Sequence, residues 1–66
     1  MARIYNHNQT VIVNVKQGMF VGVVKTDPET GTTQKIRTKK NGEKIKMTRV
    51  LIRGTHYYVK NTKIHI

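Results

Sequence analysis

The stretch KIRTKKNGEKIKMTR, residues 35–49, carries seven Lys or Arg and a single acid, Glu43, around a central Asn41-Gly42. Both central residues tolerate the positive φ that a tight hairpin needs, so the pair reads as a two-residue loop. On that loop Lys40 faces Glu43, Lys39 faces Lys44, Thr38 faces Ile45, Arg37 faces Lys46 and Ile36 faces Met47. Opposed residues share a face of the ribbon. Ile36, Thr38, Ile45 and Met47 then collect on one side, and Lys35, Arg37, Lys39, Lys44 and Lys46 on the other. A slip of one residue mixes the two sets, and register normally follows the side that must be buried. The expectation is a hairpin with five cations on one face. Like charges across a strand pair repel, so such a face weakens the fold unless an anion meets it.

Working outward, the same alternation recurs on both sides. TVIVNVK (10–16) places Val11, Val13 and Val15 on one face, and MFVGVVKT (19–26) places Met19, Val21 and Val23 on one and Phe20 and Val24 on the other. Gln17-Gly18 reads as the tight link between them, and Gly22 as a bulge or sharp bend inside a strand. DPETG (27–31) is a turn: Asp27 bonds nearby backbone, Pro28 fixes φ and Gly31 supplies a left-handed residue. RGTH (53–56), with Gly54 first in a type II′ turn, pairs Ile52 with Tyr57, Leu51 with Tyr58 and Val50 with Val59. Val50, Ile52, Tyr57 and Val59 then face the core. The core phase of Ile45 and Met47 is odd and that of Val50 and Ile52 even, which calls for a bulge or sharp bend near Thr48-Arg49. ARIY (2–5) and TKIHI (62–66) read as short outer strands, the last needing cover from the first strand or from a second chain.

The fold class expected is all-β, residues 1–66 forming one small, strongly bent antiparallel sheet or barrel of five to six strands with essentially no helix. This inferred architecture is similar to SH3-like chromatin proteins and to oligonucleotide-binding (OB-like) folds, a likeness of fold that says little of function.

At 66 residues without Cys, the chain has neither disulfides nor a thiolate metal site to staple it, and must rely on a small apolar core. No stretch approaches the ~18 apolar residues of a membrane helix, and the N-terminus lacks the apolar segment of a secretion signal. A cytoplasmic, intracellular location is the expectation, with nucleoid association left open. The net charge is +10, unevenly spread: residues 1–34 hold three bases and two acids, residues 35–66 ten bases and one acid. Such asymmetry points to a polyanion as partner.

Catalysis is not expected, because Cys and Ser are both missing and the three acids sit in or beside turns. His7, His56 and His65 have no short ligand spacing, so neither a metal nor a cofactor is expected. The expected activity is sequence-nonspecific nucleic-acid binding, DNA or RNA, through Lys35, Arg37, Lys39, Lys40, Lys44, Lys46, Arg49 and Arg53, with Tyr58 as an accessory contact. The alternative is a protein-binding module or small inhibitor whose basic hairpin occupies an acidic site on a partner protein. Membrane binding is not expected without an amphipathic helix. Homodimerisation through an edge strand stays open.

Overall fold

The computed structural model describes residues 4–65. Six strands form one antiparallel sheet curled into a half-barrel: β1 (Thr10–Val15), β2 (Gly18–Val24), β3 (Gln34–Thr38), β4 (Lys44–Ile52), β5 (Thr55–Lys60) and β6 (Ile64–His65). A single 3₁₀ turn, Asn61–Lys63, links β5 to β6. The architecture is consistent with a small SH3-like or OB-like fold. β4 is the hub, pairing with β3, β2 and β5. Partners change at Arg49, whose N–H donates to the Thr33 carbonyl and whose own carbonyl accepts from the Lys25 N–H. β1 lies between β2 and β6.

The alternating Val residues of β1 behave as their period requires: Val11 and Val13 are buried while Ile12 and Asn14 are exposed. They pack with Val24, Val50, Ile64 and Tyr5 into the core. Tyr5 belongs to no strand. It plugs the half-barrel from the side, its hydroxyl donating to the Ile64 carbonyl and its own carbonyl accepting from the Thr33 hydroxyl. Residues 4 and 5 of the expected first strand are therefore irregular, and residues 2 and 3 lie outside the described residues. At the other end β6 is two residues long and pairs with β1; Ile66 lies outside the described residues.

The link between β1 and β2 turns on Lys16-Gln17, with Val15 opposite Gly18, one residue earlier than the sequence reading placed it. Gly22 makes no bulge, for the register from Thr10↔Val23 to Val15↔Gly18 is unbroken. Its reason is proximity. A Cβ at residue 22 would collide with Val50 Cγ1 and stand 3.0 Å from Ile52 Cγ1 and 3.3 Å from the Leu51 carbonyl oxygen. Hydrogen alone lets β2 lie this close to β4.

Two register expectations are corrected. In the first hairpin Thr38 pairs with Lys44, Arg37 with Ile45, Ile36 with Lys46 and Lys35 with Met47. The loop holds three residues, not two. The Gly42 N–H donates back to the Lys39 carbonyl, and Gly42 at φ +86° takes the left-handed position after a tight turn. That is the three-residue loop in which a glycine bulge follows a type I turn. The burial argument fails because the ribbon projects past the core: Lys35 through Lys44 are all exposed, so neither face has to be buried and the turn sets the register. In the C-terminal half of β4 the even residues Thr48 and Val50 are buried, whereas in its N-terminal half the odd residues Ile45 and Met47 are the less exposed ones. The change of phase expected near Thr48-Arg49 is present, but no bulge makes it, for the registers with β3 and β5 run unbroken there while β4 changes partner from β3 to β2.

In the second hairpin the loop is Arg53-Gly54, with φ of +50° and +82°, and Ile52 pairs with Thr55. Two positive φ values mark a type I′ turn in place of the expected II′. The shift is two residues, so facing survives: Val50, Tyr57 and Val59 share the inner face, and Arg49, Leu51, His56 and Tyr58 the outer one.

One end of the half-barrel remains open at a cleft that Val15 and Tyr57 line. Val15 and Tyr57 are 36% and 49% exposed there.

The Gly22 contact yields a direct test. Gly22→Ala should destabilise the fold by about 1–3 kcal/mol, the usual cost of forcing a methyl into a packed site. Urea unfolding followed by circular dichroism measures it; an unchanged midpoint would mean that β2 shifts away freely.

Candidate nucleic-acid interface

Past Met47, β4 pairs only with β3, and residues 35–46 stand out as a two-stranded ribbon. The register divides its cations between two faces. Lys35 and Arg37 share one face with Ile45 and Met47; Lys44 and Lys46 share the other with Ile36 and Thr38. The single face of five cations is thus replaced by a ribbon charged on both sides. Lys40 sits in the loop at the tip, and Lys39 forms an ion pair with Glu43 across it at 3.7 Å. Both ion-pair members are largely exposed, so the pair adds little to stability. The side chains of Arg37, Lys40, Lys44 and Lys46 have no ion pair or hydrogen bond among the described residues.

The remaining candidates are tied into the fold. Arg49 is half-buried, its Nη1 donating to the Thr26 carbonyl at 2.9 Å. The Tyr58 hydroxyl donates to Asp27 Oδ2 at 2.5 Å, while the Lys35 ammonium stands over the Tyr58 ring, 5.1 Å from its centre. Tyr58 lies opposite Arg49 in the register, with its hydroxyl bonded to Asp27 and one ring face toward Lys35. Arg53, at its turn, lies over the Phe20 ring at 5.3 Å.

Asp27 joins the turn to the sheet. Its Oδ1 accepts from the Glu29 N–H, its backbone carbonyl from the Gly31 N–H, and Gly31 takes φ +70°, as the DPETG reading requires. Its Oδ2 reaches Tyr58 of β5. The Tyr58 hydroxyl chiefly holds the Asp27 carboxyl below the usual carboxylate range. The Glu29 N–H and the charges of Arg49 and Lys35 help, and partial burial opposes them. The same hydrogen bond, with partial burial and the nearby carboxylate charge, pushes the Tyr58 phenol up from its ordinary value.

Thr48 is a buried polar residue that sequence reasoning missed. Its hydroxyl donates to Asn61 Oδ1 at 2.5 Å, pinning the turn after β5 against β4. A Thr on the core phase between Lys46 and Val50 was the available sign. His7 Nδ1 accepts from the Thr26 N–H, and His56 and His65 lie opposite Leu51 and Ile12 on the outer face. Among the described residues no three His, Asp or Glu gather as metal ligands. No helix among them is long and apolar enough to cross a membrane.

No family model, no curated protein and no solved structure matches the chain.

The Asp27–Tyr58 bond has a pH signature. A depressed carboxyl means the folded state binds fewer protons than the unfolded chain in acid. The stability it contributes is present above about pH 4 and is lost as pH falls through the folded-state value. Tyr58→Phe should flatten this acid limb in urea midpoints measured over a pH series. In an absorbance titration Tyr58 should ionise above the ordinary tyrosine range and return toward it in Asp27→Asn. An acid limb unchanged by Tyr58→Phe would show that Asp27 draws its stabilisation elsewhere.

Proposed function

We propose that this protein is a nucleic-acid-binding module, not an enzyme, that grips the phosphate backbone without reading sequence and does so by inserting the β3–β4 ribbon into a groove. The observation that carries the reading is the division of cations over both faces of a projecting ribbon. A flat binding face needs charge on one side only. A ribbon lying in a groove has a phosphate wall on each side, and a two-stranded ribbon fits the major groove of a duplex, about 12 Å wide. Lys35 and Arg37 address one wall, Lys44 and Lys46 the other, and Lys40 leads at the tip. Affinity in this arrangement comes from released counterions and carries no sequence information. Arg49 and Tyr58 serve the ribbon's base by holding the Asp27 turn against the sheet.

With four to six phosphates neutralised, log K should fall against log salt with a slope of about −4 to −5 on duplex DNA. Fluorescence anisotropy over a salt series measures it. Replacing Arg37, Lys44 and Lys46 by Gln should weaken binding to every sequence alike and bring the slope about one unit nearer zero per residue. A flat salt dependence would overturn the reading. Recovery from nuclease-treated lysate of a discrete complex with an acidic protein would then favour the protein-binding alternative.

A further inference from the structure

The open end of the half-barrel holds a cleft of about 650 Å³, within the size range of small-ligand sites. Its floor is apolar, made by Val13, Val15 and Ile52, and two aromatic rings flank it, Phe20 from β2 and Tyr57 from β5. Arg53, Lys60 and Lys63 stand at the rim, and no acid lines it. An exposed apolar hollow whose charged lining groups are all cations complements a ligand that is flat and apolar in its body and anionic at its edge.

We propose that this cleft binds an unpaired nucleotide of a single strand, its base stacked on Phe20 and Tyr57 and its phosphate held by Lys60 and Lys63. Aromatic side chains with a cationic track are the working parts of single-strand binding, since every base offers a π face. Arg53, already lying over Phe20, adds a second stacking plane and another phosphate donor. Gln17 at the rim supplies an amide for the base edge. An extended peptide fits less well, because its backbone N–H and C=O groups would press against Val and Ile without partners.

The cleft also continues the ribbon's charge. Lys35, Met47 and Lys60 stand in one row across β3, β4 and β5, and Met47 and Tyr58 line the cleft as well. A strand leaving a duplex held by the ribbon would pass Lys35 and reach Lys60. The inference rests on the ribbon reading and sharpens it: the preferred substrate is a duplex carrying a single-stranded end.

Anisotropy with a blunt duplex and with the same duplex bearing an overhang of thymidines, each as DNA and RNA, tests it. The overhang should bind about tenfold tighter, the worth of one stacked base. Tyr57→Ala should erase that advantage while leaving blunt-duplex affinity unchanged, and Tyr57→Phe should preserve it. Tyr57 is half exposed, so the variant's fold is expected to hold, and an amide NMR spectrum verifies this. Equal affinity for both duplexes, or an overhang preference that survives Tyr57→Ala in a folded chain, overturns the cleft assignment. With salt-steep blunt binding retained, either result leaves the ribbon reading standing. Loss of binding to every polymer removes both. If polyglutamate abolishes the overhang preference as efficiently as oligothymidylate, the site belongs to an acidic peptide and the nucleotide assignment falls.

Discussion

The approach of β2 to β4 at Gly22 is the constraint on which the architecture rests. A side chain there would meet Val50, which is fully buried at the centre of the hub strand. Because residue 22 brings only hydrogen, the β1–β2 hairpin can lie against the C-terminal half of β4 while β3 takes the N-terminal half. Curvature follows: Val11 and Val13 are carried over Val24 and Val50, and a core of very few side chains still excludes water. The closure is asymmetric. Tyr5 with Ile64 and the Thr48–Asn61 bond close the core on one side, and among the described residues the cleft beside Val15 and Tyr57 has no such closure.

So small a core has consequences for charge. A chain of this length buries little apolar surface to set against chain entropy, and repulsion among its cations subtracts from the remainder. Placing most of the uncompensated cations on a ribbon beyond the core limits that cost, since exposed charges several ångströms apart are screened by water and salt. Three of the cations that approach the body have a compensating feature. Arg49 has the Thr26 carbonyl and the Asp27 carboxylate nearby, Lys35 the Tyr58 ring, and Arg53 the Phe20 ring. Arg37, Lys44 and Lys46 have no such feature, and they are the ones on the free ribbon.

Much of this was legible from residue pattern alone, and the failures have a common cause. Strand positions followed from β-branched alternation, and the Asp27 and Gly31 roles followed from turn chemistry, because both are local. The inward set Val50, Tyr57 and Val59 was also legible, since a two-residue shift preserves facing. The ribbon's register was not, because it was inferred from a core that does not extend so far. Asn41-Gly42 satisfies a two-residue loop and a three-residue loop equally well, since Gly42 takes positive φ in both. Only the position of the hairpin relative to the core decides whether burial or turn geometry rules. Tyr5 and Thr48 escaped for a related reason: their partners, Ile64 and Asn61, are far along the chain or beyond a turn.

The same displacement from the core gives the ribbon the shape on which the proposed function rests. Had the expected register held, Ile36, Ile45 and Met47 would have required cover, and the hairpin would have been drawn onto the body with one basic face outward. The glycine bulge at residue 42 instead places an aliphatic residue and cations on each face, so neither face is apolar enough to collapse inward. Ile36, half exposed, is the visible residue of that compromise. A ribbon with no preferred inner side is free to be flanked on both, which is the arrangement that the proposed insertion into a duplex groove requires.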